Sequence, residues 1–563
     1  MDCDLLIRGG TVVDGTGAPG VRGDLAIAGG RIVGVGDVGT ARAARTLDAG
    51  GCVVAPGFID VHTHYDAQIL WDRMLSISPW HGVTTVVMGN CGFGVAPTRP
   101  QDRSRILRTL EKVEGMSLAT LEAGCGADWP FETFPEYLDA IERLGTAINV
   151  AALIGHTPLR LYVMGDAATE RAATAEETAA MRAIVRAAID AGALGFATSK
   201  SPTHLGDGGK PVPSRLAELD EVLAIAGALG EAGRGVIQAT AGPGLFFQEF
   251  RTLARETGRT LTWTALLAGL MGPGSHRMFV QQAEAIAGEG IPVVPQVACR
   301  PLNFEFDLAA PFVFESMPTF AAIAGEGRAG KARAYADAAF RRAVKDALAG
   351  AMAGVFAFSW ERMVVSYHPA DPSLEGQGMV PLARARGVDP VDLMFDLGLS
   401  TDLATRFRMS VLNFDEDEVA ELLANPIMVL GLSDAGAHAS QLCDAGFSTH
   451  LLGHWVRERG TLSLEQAVRM LTARPAEVMG IGDRGRLAPG LAADVTVFDP
   501  ATVACTALRR VHDLPGGTDR LVADALGVRA VVVNGTVVRE DGRDAVAPGA
   551  ALPGRVLRGG RAA

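Results

Sequence analysis

No two cysteines in this sequence are spaced as CxxC, and no block of basic residues interrupts it. No apolar run approaches the roughly 20 residues that a bilayer crossing needs. Each absence closes off a class. The seven cysteines (Cys3, Cys52, Cys91, Cys125, Cys299, Cys443 and Cys505) are odd in number and scattered, which argues against a disulfide framework and for a reducing compartment. The opening MDCDLLIRGG carries acids where a secretory signal has a basic region and a long apolar core, so a cytoplasmic location is expected. A formal net charge of −13 without a basic patch makes nucleic acid and anionic membranes poor partners and leaves a small-molecule substrate as the expectation.

What the chain does contain is a regular order of elements. From Asp4 to about Ala55 it runs in short β-stretches punctuated by glycine, with Gly9-Gly10 and Gly29-Gly30 as hairpin signals. From Pro56 onward, β-rich runs at 58–64, 83–90, 148–156, 193–199, 235–240, 260–266, 292–298 and 427–434 alternate with amphipathic stretches. Thr174 with Glu177 and Ser463 with Gln466 read as capping boxes, and Gly192 as a helix end. Strands and helices in alternation predict an α/β fold, a (β/α)8 TIM-type barrel over 56–486, whose usual core takes about 250 residues. The excess lies mainly at about 300–398, with a helix at 331–349, a strand-like run at 355–360 and a Gly/Pro-rich loop at 369–379. This stretch reads as an insertion over the barrel mouth. After about Arg486 the β-pattern returns, including a hairpin through Asn534-Gly535. Segments 1–55 and 487–563 are therefore expected to build one small β-sandwich, with a mobile GRVLRGGRAA tail.

The stretch PGFIDVHTHYD (56–66) organises the chemistry. Along a strand, side chains alternate faces, so His62 and His64 point one way and Thr63 the other. Two imidazoles at a strand end, with Asp60 and Asp66 nearby to orient them, predict a metal site. In a parallel barrel, the active groups sit at the C-terminal ends of the strands. The end of the second strand carries Cys91 in GNCGFG, where thiolate is a good zinc ligand. The eighth ends in Asp434 within GLSDAGAH, a candidate ligand and proton acceptor. The third ends in His156, a candidate donor to a developing oxyanion.

The segments PGFIDVHTHYD, GVTTVVMGNCGFG, NVAALIGHTPLR, GALGFATS, GLSDAGAH and RPAEVMGIGDRGRLAPGLAADVTVFDP resemble the metal-dependent amidohydrolase superfamily, in its D-aminoacylase (N-acyl-D-amino-acid deacylase) branch. The resemblance spans nearly the whole chain. It implies the barrel with a sandwich built from both termini, and a hydrolase cleaving the C–N bond of an N-acyl-D-amino acid or a related N-acyl or cyclic amide. It places His62, His64 and Asp434 on one metal, Asp434 as general base and acid, and Cys91 on a neighbouring position. That neighbour normally takes histidines from the fifth and sixth strands. Here those strands read GVIQAT and TLTWTAL, no histidine lies between His204 and His276, and Gln238, Thr240 and Thr264 are weak ligands. One tight Zn2+ per chain is the resulting expectation, with other divalent metals as alternatives. Lys200 lacks the histidines that would support it as a carboxylated bridging ligand. The family's carboxylate-clamping arginine is missing from DAGAHASQLCDAGFSTH, so Arg300 and Arg362 from the insertion, with Lys200, are the candidate substrate-binding residues. Two other readings stay open: a hydrolase of an ester or C–C bond on the same scaffold, and a non-catalytic binding protein.

Overall fold

The computed structural model describes residues 2–315, 317–349, 358–437 and 445–562. Its centre is a ring of parallel strands: β1 (Phe58–Asp60), β2 (Val83–Met88), β3 (Asn149–Gly155), β4 (Gly195–Ser199), β5 (Val236–Thr240), β6 (Leu261–Thr264), β7 (Val293–Val297) and β8 (Val429–Leu430). Each pairs in parallel with the next. A parallel bridge between Thr63 and Ala435 joins the continuations of β1 and β8. These strands face the barrel interior on one side and helices on the other, so they read as nearly unbroken apolar runs. The helices begin where their capping residues stand. Thr174 and Glu177 cap Ala175–Ala191, which ends at a left-handed Gly192, and Ser463 and Gln466 cap Leu464–Leu471.

Both ends of the chain share one nine-stranded sheet. Its seam is the antiparallel pairing of Val53–Pro56 with Val495–Phe498. Leu5, Ile7, Leu25, Val495 and Val532 form part of the core against one face. Gly29-Gly30 and Asn534-Gly535 are hairpin turns. Gly9-Gly10 is not. Both glycines lie inside the strand Asp2–Val12, where the register slips between Ile7 and Gly10 and Gly9 sits at φ +76°. A glycine in the left-handed region is what a bulge uses to add a residue without ending the strand.

The insertion is larger than its composition suggests. An antiparallel sheet of Leu302–Asp307, Arg406–Leu412 and Met363–Tyr367 has its own core of Phe304, Phe306, Met363, Phe407, Met409 and their neighbours. The excursion therefore runs past 398 to the end of the central strand, at Leu412. The stretch 331–349 is two helices, Arg328–Ala336 and Ala338–Ala349. Residues 355–357 of the strand-like run lie outside the described residues, and Trp360–Arg362 is a single 3-10 turn. The terminal tail is docked. Leu557–Arg558 pairs with Arg561–Ala562, and Leu557 is buried among barrel residues. Arg558 reaches Asp139 at 2.6 Å and Glu142 at 2.7 Å. One buried leucine and two ion pairs outweigh the flexibility that Arg/Gly composition implies.

Candidate metal centre

Strand β1 ends at Asp60, and the chain continues extended beyond it. Thr63 turns away from the centre, its hydroxyl and N–H both donating to Val87 O. His62 and His64 turn inward, edge to face with ring centroids 5.2 Å apart. The segment after β8 is fastened beside them by two backbone bonds, Asp434 N to His62 O (3.2 Å) and His64 N to Ala435 O (2.7 Å). Asp434 Oδ1 then lies 3.2 Å from His62 Nε2 and 3.5 Å from His64 Nε2. Cys91, after β2, brings its Sγ to 3.4 Å from His62 Nε2. The close approach of this turn to β3 depends on Gly89, whose added Cβ would stand 2.1 Å from Leu153 O. Cys91, Leu432 and Asp434 all carry positive φ (56°, 63° and 48°). Such conformations cost about 1–3 kcal/mol each in non-glycine residues and cluster where function holds them.

A further layer of groups aims these donors. Gln296, on β7, places Oε1 2.7 Å from His62 Nδ1, so Nδ1 carries the proton and Nε2 presents its lone pair to the centre. Glu114, at the end of helix Arg103–Glu114, reaches 3.1 Å from His64 Nδ1. Gln238 accepts from Cys91 N at 2.7 Å, and its amide leads on to Thr264 Oγ1 (3.4 Å) and Thr240 Oγ1 (3.2 Å). The neutral residues on β5 and β6 thus hold the thiol's backbone. Asp60 accepts from Ser433 Oγ and His62 N, and Asp66 accepts from Gly89 N. Burial pushes both carboxyls up to about 7.

Burial works against charge on His62, His64 and Cys91, and the neighbours overcome it. Cys91 raises His62, Glu114 raises His64, and the two imidazoles bring the Cys91 thiol down to about 7. Ligand atoms of His62, His64 and Cys91 lie within 4.8 Å of one another, with Asp434 against both rings. Two imidazole nitrogens and a thiol inclined to ionise, all buried, with a half-buried carboxylate beside them, form a donor set that fits a divalent cation of the zinc type. They open onto a cavity of about 600 Å³ whose walls include Phe93, Phe246, Trp263, Leu302, Phe304 and Leu412.

Arg300 lines this cavity; three other residues singled out by sequence lie outside its lining. His156 is enclosed behind β3, with Nδ1 2.8 Å from Thr198 Oγ1 and Nε2 2.9 Å from Glu221 Oε1. Both ring nitrogens are therefore engaged away from the centre, and Glu221 also binds Arg160. Lys200 donates to Arg215 O and Ala217 O. Arg362 donates to Ser410 O at 3.1 Å and stacks 3.8 Å over Phe414. Conversely, Glu114, His204 and Arg408 line the cavity without having been singled out. His204 belongs to the loop after β4, with Nδ1 2.7 Å from Ser199 Oγ. Glu114 ends a helix that departs from β2. Neither follows the strand-end rule that finds the other groups, and no local pattern marks them.

The sequence profile of the amidohydrolase family matches residues 45–539. The D-aminoacylase of Alcaligenes xylosoxydans xylosoxydans is 31% identical over 540 residues, covering 96% of this chain and 95% of that protein. Among solved structures, an N-acyl-D-glutamate deacylase from Bordetella bronchiseptica, complexed with zinc and a phosphonate inhibitor, aligns with a TM-score of 0.68 at 28% identity, over 99% of this chain and 100% of that one. A D-aminoacylase described as having a binuclear metal centre with one-metal activation and second-metal attenuation aligns with a TM-score of 0.67 at 27% identity, over the same shares. With the barrel, the converging donors and these likenesses together, the chain belongs to the amidohydrolase family, in its D-aminoacylase branch, and is a metal-dependent hydrolase of C–N bonds.

Proposed function

We propose that this enzyme removes the acyl group from an N-acyl-D-amino acid or a closely related N-acyl or cyclic amide, using one tightly held Zn2+ per chain. The observation that carries the reading is the convergence of His62, His64, Cys91 and Asp434 on one end of the cavity. His62, His64 and Asp434 would hold the zinc, which would supply Lewis-acid polarisation of a carbonyl and a lowered pKa for water, from about 15.7 toward ~7. The residues supply the rest. His62 and His64 present Nε2, with His62 fixed in that tautomer by Gln296. Asp434 Oδ1, on the open side of both rings, accepts a proton from the attacking water and returns it to the departing nitrogen, so that one amide and one water become a carboxylate and an amine. The apolar walls exclude other water from the reacting carbonyl, and Arg300 faces the same space.

The single-metal reading rests on ligand number. His62, His64 and Asp434 supply three groups for one position, whereas β5 and β6 offer a second ion only neutral oxygens, already spent on Cys91 N and on one another. The D-aminoacylase noted for one-metal activation is consistent with that economy. Among the described residues six cysteines are free, which suits a reducing cytoplasm, and no helix is long and apolar enough to cross a membrane.

Elemental analysis after dialysis, with turnover on a panel of N-acyl-D-amino acids and simple amides, tests the reading. About one zinc equivalent is expected, and His62→Ala or His64→Ala should remove both metal and activity while the chain stays folded. Two equivalents surviving dialysis, or near wild-type turnover in either variant, would refute the assignment.

A further inference from the structure

The proposed deacylation requires some group to hold the non-reacting end of the substrate, and the insertion offers one. The strand Arg406–Leu412 alternates half-buried and buried positions up to Val411. Phe407, Met409 and Val411 enter the insertion's own core. Arg406, Arg408 and Ser410 lie on the opposite face, and Arg408 lines the catalytic cavity. Directly across the ladder from Arg408 stands Glu305, the natural partner for its charge. That carboxylate is already engaged: Oε1 binds Arg510 and Ser366, and Oε2 binds Arg406 at 3.3 Å. Among the described residues Arg408 has neither a hydrogen bond nor an ion pair from its guanidinium. Burial, outweighing the pull of Glu305 and reinforced by Arg300, holds it below the ordinary arginine value. A cation that faces a largely apolar cavity, and whose nearest carboxylate is already bonded to two other arginines, is costly until an anion arrives.

We infer that Arg408 is the anchor for the substrate's carboxylate, supplied by the insertion's central strand, and that the enzyme selects N-acyl amino acids bearing a free carboxylate over their neutral counterparts. The inference rests on the deacylase reading. A planar guanidinium meets a carboxylate through two parallel N–H···O bonds, which fixes the orientation of the scissile amide toward Asp434. The rest of the substrate lies against Phe93, Phe246, Trp263 and Leu302.

The test compares a panel of N-acetyl-D-amino acids with the matching carboxamides, in zinc-loaded wild type, Arg408→Met and Arg408→Lys. Wild type should prefer the acids. Arg408→Met should raise KM for the acids roughly 100-fold, with kcat changing far less, and erase the preference. Arg408→Lys, which keeps the charge but not the fork, should recover part of it. A wild-type enzyme that treats acids and carboxamides alike overturns the Arg408 assignment and leaves the deacylase reading standing. So does an Arg408→Met variant that retains the preference, or one that loses kcat equally on both series. Should that variant fail to fold, an Arg408→Lys enzyme with unaltered KM and preference overturns it as well. A wild type inert toward both series removes the deacylase reading itself.

Discussion

Two glutamines support the candidate ligands through hydrogen bonds to their outer atoms. Gln296 fixes the His62 tautomer from Nδ1, and Gln238 holds the Cys91 backbone. Supporting contacts of this kind are worth roughly 10–100-fold in metal affinity. Gln296→Ala is therefore expected to weaken zinc binding by about that factor in competition with a chelator, with little change in thermal midpoint. An unchanged affinity would show that His62 keeps its orientation by packing alone. At this scale the residues that converge were legible: HxH at a strand end, a glycine-flanked cysteine and an aspartate closing the last strand are all local patterns. Gln238 could be read only as a poor ligand, because its hydrogen-bond partner lies 147 positions away. Glu114 carried no signal, since a glutamate in the last turn of an amphipathic helix looks like any solvated charge.

Among the elements, the insertion changes most between sequence and structure. Its length suggests an insertion that covers the barrel mouth as a lid, where limited proteolysis would be expected to cut first. The structure gives it a three-stranded sheet tied to the C-terminal segment through Glu305, Arg406, Arg510 and Asp519. Arg406 binds Asp519 at 2.7 Å and Glu305 at 3.3 Å, and the Glu305 side chain is 2% exposed. Removing one member of a buried ionic group costs about 3–5 kcal/mol, because the others are left uncompensated. Glu305→Gln should therefore make the insertion the first site of limited proteolysis and lower the thermal midpoint, whereas wild type resists. Equal resistance in both proteins would mean that the hydrophobic core of the insertion holds it unaided. RFRMSVL lies beyond the boundary expected for the insertion and outside the β-runs that the sequence predicts, and which of its arginines face the cavity depends on a pairing with Leu302–Asp307, about a hundred residues earlier in the chain.

Across the whole molecule, His81 joins regions that are far apart in sequence. Its Nε2 donates to Ala523 O at 3.0 Å, and its Nδ1 lies 2.7 Å from Thr449 Oγ1. Burial lowers its pKa from 6.5 to about 4. The unfolded chain therefore binds a proton that the folded chain refuses. The neutral ring's contribution is complete above about pH 6.5 and is lost as pH falls toward 4, to the extent of about 3 kcal/mol. Denaturant midpoints should fall over that window in wild type and less steeply in His81→Gln; identical slopes would show that other groups govern acid sensitivity. The sequence by itself determined the eight-fold alternation, the helix caps and the candidate ligands at strand ends, because periodicity, capping and strand-end placement act over a few residues. Only the tertiary structure decided that both termini share one sheet, that the tail is docked, that His156 is turned away from the metal centre and that Arg408 faces the cavity. Those outcomes follow from pairings between distant segments, where burial and hydrogen-bond partners, not local pattern, set the direction of each side chain.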